Sequence, residues 1–483
     1  MDSKETLKET TAKGLFWGGI SNFLQQVIGA IFGIVIARIL SPNDYGLVGM
    51  LAIFIAVANT IMDSGFTVAL VNKKEVRHED YNAVFWFSVI SGIIIYIFLF
   101  FLAPLIAHFY NRVELINLSR ILFIGFLFNG LGLAHHAIIF KKLMVKERAK
   151  IDVISVLISG IIGLVLAMNG FAYWGLAIQT VSNTGIAVLL RWYYSPWKPT
   201  FHINFKPLKE MFGFSSKLFI THLLWQINNN IFSVILGKFY GERQVGYYSQ
   251  GNKWMTLGST VISGMMTSVA QPVFVQVKED KERNLNIFRK MIRFGAFISF
   301  PCMFGLAFVG EEFILITIGE KWLNSVPFLQ LFCIWGAFSY MWSLYTNILM
   351  TYGRSDIYLW GIISVCVLQL LSVISMFSLG IFPMLIAYIL SFFGGLLFWH
   401  YFVNKLIGIQ LKQVVKDISP YFLAVVIPFG VAWFIGRYIE NIYLLFSMKI
   451  LVVVIFYVLI MQMTNSVIFK ESLSFLFKKK INK

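Results

Sequence analysis

A chain of 483 residues that is 58% hydrophobic and 13% charged carries about half the charge of a soluble domain, and its mean hydropathy is +0.75. That excludes a soluble globular protein and points to a polytopic membrane protein, with 48 Phe, 20 Tyr and 13 Trp to face lipid and the interfaces. The net charge of +17 does not signal nucleic acid, because the basic residues sit in short loops between apolar runs.

The chain opens on MDSKETLKETTAKG, a polar stretch without the layout of a cleavable signal peptide. Apolar runs of spanning length then begin near Gly14, Gly46, Tyr81, Leu115, Ile151, Phe171 and Phe214. Seven more begin near Val245, Ile287, Val326, Ile357, Ile381, Ile418 and Tyr443, which makes fourteen. With the loops numbered alternately, 30 of the 40 Lys and Arg fall at the N-terminus, in even-numbered loops or at the C-terminus. Seven fall on the other side, and Lys217, Lys253 and Lys449 lie within spans. Positive charge collects on the cytoplasmic side, so both termini are expected there.

The stretch 20–67 consists of two apolar runs around the turn Ser41-Pro42-Asn43-Asp44-Tyr45-Gly46, where Pro and Gly stop one helix and start the next. It returns two hundred residues later without a gap. Ile20, Leu24, Gln26, Ile31, Phe32, Gly46, Thr60 and Thr67 fall on identical residues at 220, 224, 226, 231, 232, 246, 260 and 267, and Arg38 falls on Lys238. Turn, basic helix end and polar residues keep register together, the mark of a structural repeat. The expected fold is an all-α polytopic membrane protein of about 14 transmembrane helices. It has two pseudo-symmetric six-helix lobes, residues 1–193 and 214–404, joined by a cytoplasmic linker, 194–213. Residues 405–483 add two helices and a basic cytoplasmic tail with no counterpart in the first half. The charged segment 278–293 is expected to lie along the membrane surface or to form a solvated loop.

Helical spacing puts Asn22, Gln26, Gly29 and Gly33 on one face of the first span, and His222, Gln226, Asn229 and Ser233 on the matched face of the seventh. Amides in hydrocarbon must be paired or meet water, so the doubled row reads either as a hydrated cleft or as interhelical hydrogen bonding. The eighth span carries Lys253, Thr256, Thr260, Ser263 and Thr267 on one stripe, matched by Ala56, Thr60, Asp63 and Thr67 in the second. Lys253 is a candidate cation for an anionic substrate group, or snorkels to headgroups. Lys217 reads as a phosphate contact at the cytoplasmic mouth or as a snorkelling lysine. Asp63 reads as a proton or cation site, or as a brace for the turn through Ser64 and Gly65. His135 and His136 are expected at an interface, and Glu311 and Glu312 in a solvated external loop.

No Gly-rich phosphate loop, zinc-ligand spacing or nucleophile–base pair is evident, so neither a cofactor nor enzymatic chemistry is expected. Cys302, Cys333 and Cys366 lie far apart within apolar runs and are expected to be buried small hydrophobes.

The segments ARILSPNDYGLVGM, MDSGFTVALVNKK and IFKKLMVKERAKIDVIS, in that order, resemble the polysaccharide-exporter branch of the MOP flippase superfamily, whose Wzx-type members translocate O-antigen, capsule or exopolysaccharide units. The resemblance covers roughly residues 10–440. It implies two six-helix lobes around a central cationic cavity in the bacterial cytoplasmic (inner) membrane. It also implies translocation of a polyprenyl-pyrophosphate-linked oligosaccharide to the outer leaflet by alternating access. Membrane lipids would surround such a flippase, and a polysaccharide polymerase and chain-length proteins would be its partners. Lys253 best matches the expected basic cavity group, and Asp63 would couple a proton or sodium gradient. A multidrug exporter of the same superfamily and a membrane-embedded polymerase are the alternatives. The scarcity of intramembrane carboxylates and the small external loops count against them.

Overall fold

Every element among the described residues is helical, and there is no strand. The structure is a computed structural model describing residues 7–478, with side-chain surroundings for residues 22–209, 211 and 219–474. It divides into two compact units, Met1–Gly246 and Tyr247–Lys483.

The first unit opens with α1 (Leu7–Ile39). The expected second span is built from three pieces, α2 (Pro42–Met50), α3 (Ala52–Asp63) and α4 (Phe66–Asn72). Ser41 caps α2 reciprocally with Asp44, and Pro42 occupies the first turn, where its missing N–H costs nothing. Between α3 and α4 the chain turns through Ser64 and Gly65, both left-handed at φ 44° and 75°. Gly tolerates that conformation, whereas Ser needs support. Four long helices follow, α5 (His78–Tyr110), α6 (Leu115–Lys141), α7 (Val145–Met168) and α8 (Tyr173–Tyr194). The non-helical stretch after α8 is stitched to the start of α5. The Asn82 side chain donates to His202 O at 2.6 Å and accepts from Thr200 N at 2.9 Å, and Trp86 Nε1 donates to Thr200 O at 2.7 Å.

Next comes α9 (Lys206–Tyr240), which packs on α2 to α5 and so belongs to the first unit. Tyr110 Oη donates to Met50 O at 3.1 Å, and Ser233 Oγ to Gly49 O at 3.3 Å. The next helix, α10 (Glu242–Gln276), begins in the first unit and continues in the second. Its first turn meets that of α2 reciprocally. A Cβ on Gly46 would come 1.7 Å from Glu242 O, and one on Gly246 would come 2.0 Å from Pro42 O. Only glycine permits both approaches.

The second unit continues with α11 (Lys281–Phe308), α12 (Gly310–Thr317), a 3-10 turn (Glu320–Ser325) and α13 (Val326–Thr351). The chain ends with α14 (Ser355–Met376), α15 (Ile381–Ile407), α16 (Leu411–Gly436), α17 (Ile442–Met463) and α18 (Val467–Lys478). Its core is aromatic. Trp335 stacks on Phe392 at 4.2 Å, and the buried Trp399 meets Trp342 edge-on at 4.0 Å. Segment 278–293 is no surface strap. Asp280 caps α11 by accepting from Arg283 N at 2.9 Å, so the charged residues form the first turns of a spanning helix.

All fourteen expected spans fall on helices, and ten helical stretches among the described residues are long and apolar enough to cross a membrane. The expected spans outside that set are α8, α9, α10 and α13. Their sequences carry Gln, Asn, Ser or Thr side chains through the middle, which lowers their mean hydropathy.

Candidate functional site

In the first unit the two polar rows stand on helices with different neighbours, α1 packing chiefly on α7 and α9 on α2 to α5. On α1, Asn22 is exposed and Gln26 half-buried; on α9, His222 is exposed while Gln226 and Asn229 are half-buried. The carboxamides of Gln26 and Gln226 make no hydrogen bond among the described residues, and Gln226 serves Asn230 Nδ2 only through its backbone oxygen, at 2.9 Å. Half-buried amides without protein partners are satisfied by water or a polar ligand. The Lys217 side chain lies outside the described residues.

Asp63 is engaged within its own helix break. Its Oδ1 accepts from Thr67 N at 3.3 Å and from the Thr67 hydroxyl, which ties the end of α3 to the first turn of α4 across the left-handed pair. That is the bracing arrangement. Thr60 bonds back to Ala56 O at 2.9 Å, and Asn129 of α6 donates to Asn59 Oδ1 at 2.9 Å, an amide pair with no signal in helical spacing.

In the second unit, Lys253 is half-buried on α10, with Nζ 5.7 Å from the Trp254 ring and no carboxylate within ion-pair distance among the described residues. Other cations of this unit are paired, among them Arg289 and Lys449. Arg289 grips Asp417 with two hydrogen bonds of 2.7 and 3.0 Å, and Lys449 Nζ lies 2.5 Å from Glu312 Oε1. A cation without a carboxylate inside a span is suited to an anionic ligand. Thr256 and Thr260 are exposed one and two turns further along α10, Thr256 lying 3.5 Å from Asn252 Oδ1.

Several expectations are corrected. Glu312 is not solvated; it is 6% exposed and paired with Lys449, 137 residues away. His135 is not interfacial but 0% exposed, enclosed by Phe85, Trp192 and Trp197. Of the cysteines only Cys333 is buried, and Cys302 is exposed on its helix. The carboxylate that sequence reasoning overlooked in the first unit is Asp152. Arg148 Nε lies 3.8 Å away, and Gln25 hydrogen-bonds to it. Its signal was present as an acid inside the run beginning at Ile151, masked by the basic residues before it. No group of three or more His, Cys, Asp or Glu suited to a metal occurs among the described residues.

A family profile described as "Polysaccharide biosynthesis protein" matches residues 35–327. The teichuronic acid biosynthesis protein TuaB of Bacillus subtilis (strain 168) is 27% identical over 423 residues, 86% of this chain and 85% of the relative. The lipopolysaccharide biosynthesis protein WzxC of Escherichia coli (strain K12) is 25% identical over 358 residues, 73% of this chain and 72% of the relative. In fold, the chain is similar to the lipid II flippase MurJ in an inward closed conformation. That similarity has a TM-score of 0.77 at 14% identity and covers 92% of this chain and 98% of the other. With its multiple membrane-spanning helices, the chain therefore belongs to the polysaccharide biosynthesis protein family and shares its fold with the lipid II flippase.

Proposed function

We propose that this protein is a flippase, not an enzyme. It takes a polyprenyl-pyrophosphate-linked oligosaccharide from the cytoplasmic leaflet of a bacterial inner membrane and delivers it to the outer leaflet by alternating access. The observation that carries the reading is family membership in a chain of spanning helices. A polysaccharide-building protein whose segments between helices are short has little room for chemistry on an external sugar, and much for moving one. The names of the relatives agree in process while differing in polymer, teichuronic acid in one and lipopolysaccharide in the other.

In this reading the repeats 1–193 and 214–404 act as lobes and 194–213 as their linker. Residues 405–483 are an addition, and both termini face the cytoplasm. Asn22, Gln26, His222, Gln226 and Asn229 offer amide and imidazole groups to sugar hydroxyls. Lys253, flanked by Thr256 and Thr260, holds pyrophosphate charge, with Lys217 a second contact. Asp63 carries ion coupling beside its bracing role. The product passes to a polysaccharide polymerase and chain-length proteins.

The test is a deletion strain whose membrane lipids are examined by mass spectrometry. Accumulation of a polyprenyl-pyrophosphate oligosaccharide on the cytoplasmic leaflet is expected. Complementation by Lys253→Ala at equal protein level is expected to leave most of that pool in place, while Lys253→Arg relieves part of it. Unchanged lipids with increased drug sensitivity would overturn the reading in favour of an exporter. Lipid-linked units that reach the outer leaflet but stay unpolymerised would overturn it in favour of a polymerase.

A further inference from the structure

Two guanidinium groups in the first unit stand near a single carboxylate. Arg148 Nε lies 3.8 Å from Asp152 Oδ2, and the same carboxylate accepts a hydrogen bond from the Gln25 side chain on α1. Arg191, near the end of α8, stands within electrostatic range of both Asp152 and Arg148, and among the described residues it has no ion pair within 4.0 Å. Its backbone is held in place from α6. The adjacent Trp192 donates from Nε1 to Leu131 O at 2.8 Å. Gly132 lets α8 close in, since a Cβ there would come 2.6 Å from Val188 Cγ2 and 3.4 Å from Arg191 Nη1. His136 on α6 is the further titratable group within range of both arginines.

Charge and depth together define what is missing. The cluster carries two fixed positive charges against one negative, and one guanidinium remains to be balanced. Asp152 lies about 10 Å along α7 from its first residue at 1.5 Å per residue, at the start of the apolar run that begins near Ile151, so the group stands at the end of the expected span. Surplus positive charge there favours an anion from the membrane surface. Planar guanidinium forks match phosphate oxygens in geometry as well as charge. We infer that Arg148 and Arg191, with Gln25 beside them and Asp152 as a tethered competitor, form a binding site for the phosphate or pyrophosphate of a membrane-borne ligand at the end of the first unit expected to face the cytoplasm. Asp152, 3.8 Å from Arg148 Nε, competes with an arriving anion for that guanidinium, while Arg191 stands without an ion pair among the described residues. That keeps binding reversible, as a carrier needs.

The source of the anion rests on the flippase reading, and the experiment separates the two. Full-length protein in phosphatidylcholine nanodiscs is titrated with polyprenyl pyrophosphate, with inorganic pyrophosphate as the soluble probe and phosphatidylglycerol discs as the headgroup competitor. Arg191→Lys and Arg148→Lys keep the charge but lose the fork, and each is expected to weaken binding of either pyrophosphate about tenfold. Asp152→Asn is expected to tighten it several-fold, a direction that damage to the fold would not produce. Wild-type affinity in all three variants overturns the site and leaves the flippase reading standing. Binding of inorganic pyrophosphate with these variant effects, but no binding of the polyprenyl compound, supports the site and removes the flippase reading. Disappearance of the variant differences in phosphatidylglycerol discs supports the anion site but overturns the polyprenyl compound as its ligand, because the cluster then holds bulk headgroups.

Discussion

The side chains of Lys449 and Glu312 are 13% and 8% exposed, and the pair joins α17 to the short α12. Removing one partner leaves a charge with no partner in a low-dielectric setting, which costs far more than the pair contributes. Lys449→Ala is expected to lower stability by about 3–5 kcal/mol, read as a fall in unfolding temperature in detergent, and Glu312→Ala to do the same. The double variant Glu312→Leu/Lys449→Met is expected to recover most of the loss, and additive losses would refute this account. The sequence could flag Lys449 as a cation within a span but not its partner, since no periodicity links positions 137 residues apart. Asp63 shows the converse. Its two sequence readings differ only in what the carboxylate touches, and Thr67, four residues on, was visible as a neighbour by helical spacing alone.

At the scale of elements, apolar period and turn residues made the helices legible, and the turn at residues 41–46 carried its own start signal in Ser41, Pro42 and Asp44. The break after Asp63 was legible as the turn through Ser64 and Gly65, where Gly carries the mark that a left-handed Ser alone does not. The charged opening of α11 misled for a physical reason. A helix entering a membrane through the headgroups bears the same residues as one lying on the surface. Gly46 and Gly246 yield the sharpest expectation at this scale. The atoms that a new Cβ would strike are backbone oxygens, which cannot rotate away. Gly46→Ala and Gly246→Ala should each destabilise by about 1–3 kcal/mol, measured by thermal unfolding. The double variant should cost less than their sum, because the first methyl already separates the two turns; full additivity would contradict a shared contact.

For the molecule as a whole, composition decided the class, and the one-sided distribution of Lys and Arg gives an orientation that fusions can test. Reporters active only in the cytoplasm should work at both termini, and reporters active only outside should work in the segment 310–325; a reversed pattern would overturn the orientation. The helices that carry polar side chains through their middles, such as α10 and α13, escape a hydropathy criterion while falling where the runs beginning near Val245 and Val326 put them. Hydropathy reads the lipid-facing share of a helix, whereas polar stripes belong to the inside. The meeting of the first turns of α2 and α10 has a further meaning. Gly46 approaches the oxygen of Glu242 while Gly246 approaches that of Pro42, and each pair is the other moved by 200 residues. Residue i on j together with j on i is the signature of an isologous contact between identical subunits. A half-length chain pairing with its own copy would make both approaches with one glycine and one carbonyl, so the fold preserves within a single polypeptide the handshake of a homodimer.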